Sequence, residues 1–233
     1  MSREGRHRFL SLASVLHILS LFYGLVLKLR EFCYGRHILT PRRLPCNVIS
    51  IGNITAGGTG KTPMTIYVAE LLKTLGYRVA ILSRGYKGGS EKEIRVVSDG
   101  QKILMTPTMA GDESYLMAIR LSDVPIVVGR NRFAAGSLAV KRFQPDVIVL
   151  DDAFQHVKLQ RDIDLVLVDR AQPFGNGHVL PRGSLREPVS SLRRCAACIL
   201  TRADAAADES RSESCKRLKS ILGKHRSRRS KPL

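Results

Sequence analysis

The chain predicts an α/β fold: a doubly wound, mainly parallel sheet preceded by an amphipathic, apolar N-terminal helix. Three observations predict it. Short apolar, β-branched runs alternate with helical patterns along most of the 233 residues, the order that places helices on both faces of a parallel sheet. A glycine-rich turn ending in Gly60-Lys61-Thr62 lies between an early run and the helix after it. A later run, Val147-Ile148-Val149-Leu150, ends on two aspartates, Asp151 and Asp152. Turn and aspartates together specify a sheet of the P-loop NTPase type.

The N-terminal helix comes first, in a segment spanning residues 1–43. Phe9–Leu27 contains no charged residue and is long enough to raise a transmembrane helix. Yet Ser14, His17, Ser20, Gly24 and Lys28 recur at three- and four-residue spacing and share one helix face. Arg3, Arg6 and Arg8 precede the apolar run, and Lys28 and Arg30 follow it. That pattern suits a helix lying in a bilayer interface, apolar side down and basic residues at the headgroups. A helix packed on the protein's own core accounts for it as well. A cleaved signal peptide fits less well, because no small-x-small site follows the apolar run.

Residues 44–209 form the predicted catalytic domain. Val48, Ile49 and Ile51 sit in a buried strand beginning at Asn47, and the helix after the turn runs to Leu72. Between them, glycines let backbone N–H groups converge on an anion at the helix N-terminus, and Lys61 adds a point charge. Pro63 suits the first turn of that helix, and Thr62 is placed to put its hydroxyl on magnesium. The generic phosphate-loop pattern asks for Gly at position 55, where this chain has Thr55. The alternative is a glycine-rich turn with an incidental lysine; the strand before and the helix after argue against it.

Tyr77–Leu82 reads as the next strand, ending in Ser83-Arg84-Gly85-Tyr86, followed by a short strand near Ile94–Val97 and a turn at Asp99-Gly100. Gly111-Asp112-Glu113 opens a helix over Ser114–Leu121, where two carboxylates could serve as plain electrostatic caps. Pro125–Val128 is another apolar strand, followed by Gly129-Arg130-Asn131-Arg132 and a helix to about Arg142. In phosphate-loop proteins an aspartate ending a strand like Val147–Leu150 reaches the magnesium; the bland reading is an acidic turn. Leu165–Val168 and Ala197–Thr201 complete the strands. Ligands gather beyond the C-terminal ends of such strands, where Lys61, Asp112, Asp151 and Arg130 project.

Charge narrows the function further. Residues 1–46 carry 8 basic and 2 acidic side chains and residues 211–233 carry 9 and 1, so 14 of the 18 net positive charges lie at the two ends. A nucleic-acid binder builds its basic surface into the folded domain with aromatic platforms interleaved. Here Trp is absent and aromatic content is 6%, so basic flanks around an apolar segment point instead to an anionic membrane surface. Cys33, Cys46, Cys195, Cys198 and Cys215 are scattered. Cys195 and Cys198 have metal or redox spacing but no second pair, and packing thiols in a reducing compartment are the expectation. Residues 210–233, with a weak helix at Cys215–Leu222, read as a disordered basic tail.

One set of motifs occurs here in a specific order. The loop Thr55–Pro63, Ser83-Arg84-Gly85-Tyr86, Gly111-Asp112-Glu113 and Asp151-Asp152-Ala153-Phe154-Gln155-His156 are followed by Pro173-Phe174-Gly175-Asn176-Gly177 and Leu185-Arg186-Glu187-Pro188. Together they resemble the tetraacyldisaccharide 4'-kinases of lipid A synthesis, from the N-terminal helix to about Thr201. The threonine at position 55 is what that family uses.

The resemblance implies transfer of the ATP γ-phosphate to the 4'-hydroxyl of a tetraacyl glucosamine disaccharide 1-phosphate, at the cytoplasmic face of the bacterial inner membrane. It implies ATP and Mg²⁺, a lipid-linked disaccharide and the inner-membrane surface as partners, and neither nucleic acid nor an obligate protein partner. By similarity, Thr55, Ala56, Gly57, Gly58, Thr59, Gly60, Lys61 and Thr62 hold the nucleotide. Thr62, Glu113 and Asp152 hold Mg²⁺, and Asp112 orients or deprotonates the sugar hydroxyl. Arg130 and Arg186 meet phosphate charge, while Asp151, Gln155 and His156 line the acceptor side.

Two departures stand out. Family members often have Arg and Pro where this chain has His178 and Ser184. The family also continues past the position of Leu233 into a smaller subdomain with a histidine supporting the catalytic aspartate, so the resemblance predicts weak or no turnover for this chain. The competing reading is a membrane-surface P-loop ATPase of the partitioning or division-site type. Such proteins carry an extra lysine early in the loop and lack the Asp151–His156 run, and this chain has no lysine between Gly52 and Gly60.

Overall fold

A computed structural model of the chain describes residues 12–85 and 93–202. The predicted tail at 210–233 with its weak helix, Tyr86, and the arginines at 3, 6 and 8 lie outside the described residues.

In chain order the elements are α1 (Leu12–Gly35), β1 (Asn47–Asn53), α2 (Lys61–Thr74), β2 (Val79–Ser83), β3 (Arg95–Ser98), α3 (Pro107–Ala110), α4 (Asp112–Arg120), β4 (Ile126–Val128), α5 (Arg132–Phe143), β5 (Val147–Leu150) and β6 (Ile163–Asp169). A 3₁₀ segment, Val189–Arg194, then leads into β7 (Ala197–Thr201). One sheet runs β3-β4-β2-β5-β1-β6-β7, parallel throughout except for the antiparallel β3–β4 pair at the edge.

The layers follow from the period of two along each strand. In β2, Val79 and Ile81 pack with Val68, Ala69 and Met117 of α2 and α4. Ala80 and Leu82 turn to the other face, against Ala135 and Ala139 of α5. Every residue of β2 and β5 is buried, as both-face coverage requires of central parallel strands. At the end of β3 the Asp99 carboxylate accepts from the amides of Gln101 and Lys102 and reverses the chain. Beyond β1, Ile54, Phe154, Val166, Phe174, Leu185 and Leu192 form a third cluster under α1.

α1 is long and apolar enough to cross a membrane by length and composition. It packs on the protein through its polar stripe. Ser20 Oγ donates to the Val179 carbonyl at 2.8 Å, and Tyr23 Oη donates to the Arg186 carbonyl at 3.0 Å. Its apolar face is turned outward, with Phe22 67% and Leu25 62% exposed. The expected stripe needs one correction: Lys28 is exposed, and Leu27 takes the buried seat beside Ser20. Four-residue steps advance about 40° per step around a helix, so Lys28, two steps from Ser20, has rotated off the packed face.

Candidate active site

Two glycines shape the approach. A β-carbon built on Gly52 would lie 2.6 Å from the Phe154 β-carbon, so glycine alone lets residues 153–156 rest on the end of β1. Gly60 caps α2 in the left-handed region, φ 80°, ψ 27°, a conformation a β-carbon disfavours. The loop is braced from three sides. Asn53 Nδ2 donates to Thr59 Oγ1 at 2.9 Å across its base. The Ala56 amide donates to Ser184 O at 2.6 Å and the Arg186 amide to Ile54 O at 2.7 Å. Arg202 donates to Gly58 O at 3.0 Å while paired with Asp169 at 2.6 Å. Thr55 and Thr59 are buried, whereas Ala56, Gly57, Gly58 and Gly60 face solvent. The rim is fixed and the concavity is open.

Opposite charges converge on that concavity. Lys61 Nζ at the start of α2 lies 3.8 Å from Asp152 Oδ1. Arg186 Nη1 donates to both Asp152 oxygens, at 3.0 and 2.9 Å. These residues come from the β1–α2 turn, the end of β5 and the segment after β6, which the parallel order brings to one edge. Asp112 and Glu113 lie exposed in the first turn of α4. Glu113 is near enough to raise the Asp151 carboxyl electrostatically. Arg130 is exposed in the turn before α5.

Asp151 departs from expectation. Sequence places it on the acceptor side, but it is 1% exposed and sealed beneath the loop. It accepts from Thr65 Oγ1 at 2.9 Å and faces Ser83 Oγ at 3.4 Å. Consecutive residues leaving a strand point to opposite sides, so Asp152 reaches the cleft and Asp151 cannot. Burial pushes the Asp151 carboxyl up to about 6; the Thr65 hydroxyl opposes this, and the negative charges of Glu113 and Asp152 add to it. Gln155 Nε2 donates to the Asn53 carbonyl at 2.7 Å, locking the segment to β1. His156 is half-buried. Burial, then the positive charges of Arg132, Arg161, Lys158 and Arg84, push its imidazole down to about 4, so it is neutral at pH 7.

Sequence reasoning missed Arg132. It is buried, donates to Gly129 O at 2.6 Å, and lies close enough to Asp151, Asp152 and Arg84 to feel their charge. Burial pushes its guanidinium down to about 10, with the two aspartates opposing. A signal was present: Asn131 caps α5 by accepting from the Ala134 amide at 3.2 Å, which puts residue 132 in the first helical turn at the end of β4. Glu187 was also missed; it is fully buried between Arg30 and Arg194.

Among the described residues no group of three or more His, Cys, Asp or Glu side chains could hold a metal by itself. The donors at hand, the Thr62 hydroxyl and the Asp152 and Glu113 carboxylates, are hard oxygens. They fit magnesium, which takes one or two carboxylates plus substrate phosphates rather than an all-protein cage. The Cys195 and Cys198 sulfurs lie 3.4 Å apart at the start of β7, away from these donors.

Comparison with known proteins identifies the family. The family model for LpxK, tetraacyldisaccharide-1-P 4'-kinase, matches residues 12–231. The tetraacyldisaccharide 4'-kinase of Desulfatibacillum aliphaticivorans is 50% identical over 196 residues, covering 84% of this chain and 53% of that one. That of Syntrophus aciditrophicus is 50% identical over 200 residues, covering 85% and 53%. The crystal structure of LpxK from Aquifex aeolicus in complex with ATP superposes with a TM-score of 0.77 at 40% identity, covering 83% of this chain and 60% of that one. This chain spans about half the length of the curated relatives it matches. These matches favour the sugar-kinase reading over the partitioning-type ATPase. The chain belongs to the tetraacyldisaccharide-1-P 4'-kinase (LpxK) family.

Proposed function

We propose that this chain binds MgATP at the loop 55–62 and serves transfer of the γ-phosphoryl group to the 4'-hydroxyl of a tetraacyl glucosamine disaccharide 1-phosphate. The observation that carries the reading is the Lys61–Asp152–Arg186 cluster at the mouth of a braced phosphate loop. Phosphoryl transfer asks the protein for alignment and charge neutralisation more than covalent chemistry. Loop amides and Lys61 hold the β- and γ-phosphates. Thr62, Asp152 and Glu113 hold the magnesium ion, which neutralises charge on the phosphate oxygens. On nucleotide arrival Lys61 and Arg186 exchange part of their hold on Asp152 for phosphate.

Asp112, exposed at the head of α4, accepts the proton as the sugar O–H breaks. The new bond joins the sugar oxygen to the γ-phosphorus, the old phosphorus–oxygen bond breaks, and ADP leaves with the electron pair. Arg130 meets phosphate charge from the β4–α5 turn, and the buried Arg132 at the start of α5 adds positive potential behind it. Gln155 and the neutral His156 line the acceptor side, and Asp151 positions α2 through Thr65. The outward apolar face of α1 rests in the cytoplasmic face of the inner membrane, within reach of a lipid-anchored acceptor.

Titration calorimetry of the chain with MgATP tests the reading. The wild type binds, and Lys61→Met weakens binding by about two orders of magnitude, as loss of a charge-assisted phosphate contact predicts. Any transfer is read as labelled phosphate on the lipid acceptor, at the low rate that the resemblance predicts. No heat with MgATP overturns it, and so does ATP hydrolysis that vesicles alone stimulate and the lipid acceptor does not change.

A further inference from the structure

We propose that α1 is part of the support of the active site, and that its Arg30 is a positioning residue acting through Glu187 and Gln155. The inference rests on the function proposed above and adds to it a role for the helix besides membrane attachment.

The segment 184–187 lies between the phosphate loop and α1. On one side it is stitched to the loop: Ser184 O accepts from the Ala56 amide and the Arg186 amide donates to Ile54 O. On the other it is stitched to the helix: Tyr23 Oη donates to Arg186 O at 3.0 Å, and Arg30 Nη2 pairs with the Glu187 carboxylate. Arg30 Nη1 also approaches Gln155 O at 3.4 Å. One guanidinium therefore links the two segments that present the cleft residues, through the Gln155 carbonyl beside Asp152–His156 and the Glu187 side chain beside Arg186. Glu187 cannot relax toward water, because it is fully buried. Its other oxygen is held by Arg194, which stacks 4.6 Å over the Phe154 ring and so pins the same two segments from behind.

The geometry makes α1 a wall rather than a tether. If the helix shifts, the Arg186 carbonyl and Glu187 shift with it, and Arg186 loses its register on Asp152. Placement errors of this kind are costly in phosphoryl transfer, which runs on alignment. The interactions α1 makes here come from Tyr23 and Arg30, one residue off the Ser20–Gly24 stripe or about two turns beyond it and away from the exposed Phe22 and Leu25.

The test uses the full chain with Arg30→Met, which keeps the length of the side chain and removes the fork. MgATP affinity is read by calorimetry, sedimentation with anionic phospholipid vesicles reads helix attachment, and transfer to the lipid acceptor is split into kcat and KM. The expected result is about tenfold or greater loss in MgATP affinity or kcat with vesicle binding unchanged, and partial recovery on adding guanidinium ion at millimolar concentration. Tyr23→Phe, which removes a single hydroxyl, gives a smaller loss in the same direction and serves if Arg30→Met does not fold. Variants within about twofold of wild type overturn the inference. So does a loss that tracks unfolding and is not recovered by guanidinium, for that is a purely structural role. A wild type that binds no MgATP sinks the functional reading itself; a wild type that binds, with variants equal to it, sinks this inference alone.

Discussion

Arg186 and Glu187 are neighbours in sequence and opposites in surroundings. Arg186 reaches into the cleft, where its pair with Asp152 is about 30% exposed on both sides. Glu187 turns inward and is held by two guanidiniums with none of its own surface in water. The first cluster can exchange partners, since water and incoming phosphate can replace either side. The second cannot, because losing either guanidinium leaves the Glu187 charge behind in a dry place. Two residues thus divide the labour: one meets the ligand and the other fixes the backbone that carries it.

The difference is broken most severely at Glu187. Glu187→Ala leaves Arg30 and Arg194 facing each other without the carboxylate between them, and stability falls by about 3 kcal/mol, the lower end for a broken buried pair because both arginines are partly wetted. Urea denaturation measures it. A loss under about 1 kcal/mol shows the cluster to be no more than a surface ion pair. Replacing all three by apolar residues of similar volume recovers much of the loss, as expected if the penalty lies in the orphaned charges.

A second buried carboxylate sharpens the point through pH. Asp151 has its carboxyl pushed from 3.8 up to about 6, chiefly by burial. Between those values the folded chain binds a proton that the unfolded chain has released, so stability from this group falls as pH rises through the window and stays lost above it. His156 has the reverse sign. Its imidazole is pushed from 6.5 down to about 4 by burial and nearby cations, so its contribution is present at neutral pH and lost as pH falls between those values. The two slopes oppose each other over nearly the same interval. Asp151→Asn keeps an acceptor for Thr65, gains up to about 3 kcal/mol at pH 7, and loses stability more steeply on acidification than the wild type. His156→Gln flattens or reverses the acid loss, by about 1–2 kcal/mol once its partial exposure is discounted. Unfolding free energies across the window decide; parallel curves for wild type and both variants contradict the assignment.

What could be read in advance follows the same division. Lys61, Thr62 and Asp152 are legible because each belongs to a local pattern: a turn before a helix, or an acidic end to a β-branched run. The alternation of strands and helices is legible for that reason too, and it carried the sheet type. Glu187, Arg30 and Arg194 form one unit from positions 157 and 7 residues apart, and no short-range spacing announces it. Arg132 stood beside Arg130, and only the Asn131 cap tells which of the two is turned inward. Asp151 was misplaced because two adjacent aspartates look equivalent in sequence, while the pleat sends one to the cleft and the other beneath the loop.

The smallest expected effect on stability is paired with one of the largest on ligand binding. Asp152 occupies the left-handed region at φ 46°, a conformation asparagine tolerates better than most residues. Asp152→Asn therefore leaves the backbone unstrained and removes only the part-exposed attraction to Arg186 and Lys61, a change within about 1 kcal/mol in unfolding free energy. It also takes away one of the two carboxylates offered to magnesium. Nucleotide binding in the variant should then depend less on magnesium, with the affinities for MgATP and for ATP alone drawing closer together. Undiminished magnesium dependence would remove Asp152 from the ion's protein contacts and leave Glu113 and Thr62. A large fall in stability would mean that the open cluster is as structural as the closed one, and the contrast between Arg186 and Glu187 would fail.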